Sequence, residues 1–75
     1  MTRKEFEVLA YLERTTGKRS QRAIAQGVGV SVGTVNKILA TLHEQEWINP
    51  DLELTGKGYE VLEPYRDELN KIRDV

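Results

Sequence analysis

The cationic side chains of this sequence are unevenly placed. Between residues 14 and 43 stand Arg14, Lys18, Arg19, Arg22 and Lys37, without a single Asp or Glu. Elsewhere the balance reverses. Residues 1–13 hold two bases against three acids, residues 44–75 hold four against nine, and the formal total is −1. An anion responds to the local field and not to the total. A basic, acid-free stretch is chemistry for a polyanion, above all the phosphate backbone of a nucleic acid. It is not chemistry for breaking bonds. The chain has no cysteine and one histidine, His43, so a thiolate site, a histidine-based nucleophile pair and a multidentate metal site are all unsupported. Nor is there a glycine-lysine phosphate loop or a carboxylate pair with a plausible cleft. The residues point to a binding module, not an enzyme, with no cofactor and no metal.

Length sets the frame for that module. Seventy-five residues make one domain. A domain of this size buries only about 60% of the surface its unfolded chain exposes, so its core is small. Apolar residues are 39% and charged residues 31%, ordinary for a soluble domain. No apolar run approaches the roughly 18 residues of a membrane span. The opening Met1-Thr2-Arg3-Lys4-Glu5-Phe6-Glu7 lacks the apolar core of a signal peptide. These features predict a cytoplasmic protein with no membrane partner.

Local signals place the elements that must carry the bases. Thr2 with Glu5 forms a capping box, and Phe6, Val8, Leu9 and Leu12 give the helix that follows an apolar face. Thr15, Thr16 and Gly17 stop it, and Lys18 and Arg19 form a linker. Ser20 caps a short second helix from Gln21 to about Gly27, with Ile24 and Ala25 inward. Gly29 is the natural left-handed residue beyond its end. Ser31 caps a third helix from Val32 to about Gln45, whose Val35, Ile38, Leu39 and Leu42 recur as a helical stripe. His43 falls late on that helix as a solvated side chain. Trp47-Ile48-Asn49 reads as a short strand, Pro50-Asp51 as a turn and Leu52-Glu53-Leu54 as the returning strand. Thr55 caps a further helix to about Glu63, and Pro64 is expected to kink or restart the chain. Beyond it, Leu62, Tyr65, Leu69 and Ile72 recur as a short seam. That seam can fold back on the first helix or pair with a second copy, and the small core favours the pair.

The spacing Ala25, Gly29, Val35, Ile38, with Ile24, Val28 and Val30 between, suits two helices locked at a steep angle across a sharp turn. Residues 21–38 resemble the helix-turn-helix of bacterial DNA-binding regulators. Thr34-Val35-Asn36-Lys37, then Leu39, Leu42, Trp47-Ile48 and Leu54-Thr55-Gly56-Lys57-Gly58, extend the likeness to winged-helix regulators of the MarR type over about residues 5–62. The resemblance implies a mostly α fold with a small β-hairpin wing, in which residues 1–62 form a winged helix-turn-helix domain and residues 63–75 a C-terminal helical extension. It implies a transcriptional regulator whose third helix enters the major groove of double-stranded DNA, working as a homodimer through Leu62, Tyr65, Leu69 and Ile72.

Carried over by position, Ser31, Val32, Gly33, Thr34, Asn36 and Lys37 fall where the third helix meets DNA. Asn36 can read an adenine edge, and Lys37 can reach a guanine or a phosphate. Ser20, Gln21 and Arg22 open the second helix, where amides and side chains hold phosphates, with Lys18 and Arg19 just before them. Lys57 is the base nearest the wing. The expected wing is short and carries Asp51 and Glu53 but no arginine, so minor-groove insertion is not expected. Leu62-Glu63-Pro64-Tyr65 also resembles the junction where winged helices precede bacterial nucleotidyltransferases. The alternative is therefore a regulatory or protein-interaction module at the N-terminus of a larger enzyme.

Overall fold

The computed structural model describes residues 1–15 and 20–73, with side chains described for residues 1–15 and 20–65. Four helices follow one another: α1 (Arg3–Arg14), α2 (Gln21–Val28), α3 (Val32–Glu44) and α4 (Gly56–Arg73). Each of the first three starts on a hydroxyl cap. The Thr2 oxygen accepts from the Glu5 amide, the Ser20 oxygen from Ala23 and the Ser31 oxygen from Thr34. Each cap satisfies a helix-end donor that would otherwise be left without a partner. Thr15 closes α1, its amide and hydroxyl both donating to the Tyr11 carbonyl at 3.1 and 2.7 Å.

The turn between α2 and α3 is built on Gly29, at φ 80° and ψ 38°. The Gly29 and Val30 amides both donate to the Ala25 carbonyl, at 2.8 and 3.0 Å. This left-handed closure turns the chain within three residues, Gly29 to Ser31, before α3 begins. The core lies where α1, α2, α3 and the start of α4 meet: Val8, Leu9, Leu12, Ile24, Ala25, Val35, Ile38, Leu39, Leu42, Ile48 and Leu62 are all buried. The stripes expected from spacing are therefore the faces the protein buries. Trp47 is half-buried against this core.

Two expectations are corrected and a third is narrowed. The wing has no extended strands among the described residues, only one antiparallel bridge between Ile48 and Leu54. The Asn49 side chain accepts from the Asp51 and Glu53 amides at 2.9 and 3.0 Å, and Leu52 sits at φ 61°. The chain thus turns through a three-residue loop with a left-handed third position, instead of running as a strand from Leu52. Leu52 holds this unfavourable geometry because its side chain packs on the core.

Next, α4 passes through Pro64 without restarting. Proline removes one amide and orphans the Glu60 carbonyl. Both residues lie on the exposed side of the helix.

Finally, Leu62 is 2% exposed and belongs to the core of a single chain, and the Tyr65 ring rests on Phe6 with centroids 5.9 Å apart. Leu62 therefore serves the fold-back on α1 that the spacing also allowed, whereas Tyr65 stays 37% exposed. Leu69 and Ile72 lie among the residues whose side chains are not described.

Candidate nucleic-acid interface

Burying Val35, Ile38, Leu39 and Leu42 dictates what α3 exposes. Val32, Gly33, Asn36, Lys37 and Ala40 are all exposed, at helical spacing on a single face. Val32 is 45% exposed, an apolar side chain left in water in the first turn of the helix. Thr34 is half-buried and accepts a hydrogen bond from the Ser31 hydroxyl at 2.9 Å. Ala40 was not singled out from sequence, although it follows Asn36 by one helical turn and continues the face.

The electrostatics of this surface follow from what is missing. Neither α2 nor α3 has an acid in its first turn, where Asp and Glu normally offset the positive helix end. The first acid on α3 is Glu44, about 20 Å along the axis from the Ser31 cap at ~1.5 Å per residue. Arg22 is exposed on α2 and Lys37 on α3, and among the described residues neither forms an ion pair. Ser20, Gln21 and Arg22 do open α2 as expected, with Ser20 and Arg22 exposed and Gln21 half-buried. Across the turn, the Asn36 Nδ2 donates to the Gln21 Oε1 at 3.4 Å. Lys18 and Arg19 lie outside the described residues. Arg14 stands at the end of α1, its guanidinium 5.5 Å from the centre of the Tyr11 ring.

The wing side has the opposite character. Glu44, Glu46, Asp51 and Glu53 are exposed there, and Glu60 and Glu63 are exposed along α4. Lys57, expected to touch DNA, forms an exposed ion pair with Glu46, its Nζ 3.0 Å from the carboxylate. Glu46 is the joint of this region. It lies at φ 61°, its amide donates to the His43 carbonyl, and the Trp47 amide donates to Leu42. That is a full left-handed cap on α3, with glutamate where glycine is usual. The Glu46 carbonyl then accepts from the Thr55 hydroxyl, and the Trp47 carbonyl from the Thr55 amide at 3.0 Å. Thr55 in turn caps α4 through the Gly58 amide at 3.2 Å. A single threonine thus ties the end of α3 to the start of α4. Glutamate at a left-handed position carries no sequence signal, so neither the cap nor its pairing with Lys57 was foreseen.

A three-helix core with a tight α2–α3 turn, followed by a short looped segment and a fourth helix, defines a winged helix-turn-helix domain, here with its wing reduced to a single bridge. The chain belongs to the wHTH-PRTase associated family, whose model matches residues 6–74. No curated protein matches the chain, and no solved structure does. Among the described residues, no helix is long and apolar enough to cross a membrane.

Proposed function

We propose that this domain binds double-stranded DNA by laying the N-terminal half of α3 in the major groove, as the reading head of a transcriptional regulator of the MarR kind. The observation that carries this reading is the exposed, acid-free face of α3 beside the uncompensated N-terminus of α2. Val32 and Ala40 are suited to thymine methyl groups, Asn36 to a base edge, and Lys37 to a guanine or a phosphate. Ser20, Gln21 and Arg22 suit the backbone. Lys57, held by Glu46, and the acidic wing are left out of the contact. The domain supplies recognition and no catalysis, and it takes no cofactor.

Arg22 and Lys37 alone give a salt slope of about −2, and adding Arg14, Lys18 and Arg19 raises it to roughly −4 to −5 per copy. One copy therefore binds weakly, and the working form is a homodimer on half-sites about one helical turn apart. With Leu62 taken into the core, that association rests on the exposed Tyr65 and on the sequence spacing of Leu69 and Ile72.

The family description favours a second reading with equal weight: a regulatory module that works with a phosphoribosyltransferase, where the sequence suggested a nucleotidyltransferase. On that reading the acidic wing side meets the enzyme. Titration of labelled random duplex DNA at ~50 and ~200 mM salt tests the first reading. Binding that weakens steeply with salt supports it, and absence of binding at low salt overturns it in favour of the second.

A further inference from the structure

We infer that Gln21 sets the orientation of the Asn36 side-chain amide and so makes Asn36 a reader of adenine and not of guanine. The inference rests on the DNA-binding reading above and names the base that this surface selects. Gln21 opens α2 and is half-buried, whereas Asn36 stands exposed on α3. Their contact, Asn36 Nδ2 to Gln21 Oε1 at 3.4 Å, is the one side-chain hydrogen bond joining α2 to α3 among the described residues.

A primary amide offers two donors on nitrogen and an acceptor on oxygen. With one Nδ2 hydrogen directed to Gln21, Asn36 keeps one donor and Oδ1, side by side and open to solvent. Adenine shows the complementary pair in the major groove, an N7 acceptor beside an N6 donor. Guanine shows two acceptors, N7 and O6, and would place O6 against Oδ1. Turning the Asn36 amide over would need the Gln21 amide to turn with it, and a phosphate accepting from the Gln21 Nε2 holds that amide in place. Gln21 is thus a positioning residue. It selects the base through Asn36 without touching that base, and its own amide nitrogen remains available for a phosphate.

The chemistry yields a test in which affinity and base choice are read separately. Sites are first selected from a random duplex pool with the full chain, and the position lost on Asn36→Ala is identified. Relative affinity for adenine and guanine there is then measured by competition for Gln21→Glu, Gln21→Lys and Gln21→Ala, with helical content checked by circular dichroism. The parent is expected to prefer adenine by about tenfold. Gln21→Glu can only accept, so it keeps the preference even though its charge lowers overall affinity. Gln21→Lys can only donate, so it draws Oδ1 inward, leaves both Nδ2 hydrogens outward and shifts the preference toward guanine. Gln21→Ala frees the amide and cuts the preference to about threefold or less. Unchanged base preference in folded, DNA-binding Gln21→Lys overturns the inference and leaves the DNA reading intact. Failure of the parent to bind any duplex overturns both.

Discussion

Replacing Gly58 with alanine tests how the wing segment and α4 are joined. Gly58 is buried in the first turn of α4, and a Cβ built there collides with the Trp47 carbonyl oxygen and lies 3.3 Å from Leu54 Cγ. The obstacle is backbone, so no rotamer change removes it. The same carbonyl accepts from the Thr55 amide at 3.0 Å, so moving it strains the stitch between α3 and α4. Overpacking of this kind costs about 1–3 kcal/mol, against a gain of up to ~1 kcal/mol for alanine over glycine in a helix. The net is a loss of about 1–2 kcal/mol, or roughly 5–15 °C in Tm for a domain of this length. Gly56, two residues earlier in the same helical turn, has nothing within 4 Å of its would-be Cβ. Gly56→Ala should therefore stabilise by up to ~1 kcal/mol. Thermal unfolding followed by circular dichroism decides the matter. If the two alanines shift Tm in the same direction by similar amounts, the close approach at Gly58 is not what fixes the helix against the wing.

Three further outcomes are expected. Lys37→Ala and Arg22→Ala should each flatten the salt dependence of duplex binding by about 0.9, whereas Lys57→Ala, whose charge is shared with Glu46, should change it by less than half of that; equal effects would put Lys57 on the DNA. Leu62→Ala should destabilise by about 2–5 kcal/mol by a margin independent of protein concentration, as a core cavity does; a concentration-dependent loss would return Leu62 to a dimer interface. Glu46→Gly should be more stable than Glu46→Ala by about 1 kcal/mol in chemical denaturation, since glycine alone takes φ 61° without strain; a tie would remove the left-handed cap from the account.

Much of this architecture is legible because it depends on local rules. Ser20 and Ser31 announce helix starts by a hydroxyl that only an N-cap uses well, and Gly29 announces the turn by the one residue type that accepts its φ cheaply. The α3 stripe fixes its buried face, and with it the exposed face that includes Asn36 and Lys37. What spacing did not disclose came from tertiary context. Leu52 alternates with Glu53 like a strand residue, yet it is bent into a left-handed position because the Asn49 amide gathers the tip and the core takes the leucine. Pro64 looks like a stop, yet solvent exposure makes its lost hydrogen bond tolerable. Leu62 fits a dimer seam and a monomer core equally well by pattern, and only the docking of α4 on α1 separates the two. The Glu46–Lys57 pair spans 11 residues and has no periodic signature at all.

The stitch at Thr55 has a mechanical consequence. Rooted at its base to the end of α3 through two hydrogen bonds, the 18-residue α4 is a rod about 27 Å long at ~1.5 Å per residue. Force applied at its far tip, by whatever grips it, reaches both α1, on which α4 is docked, and the end of α3, and is not dissipated in a loose joint.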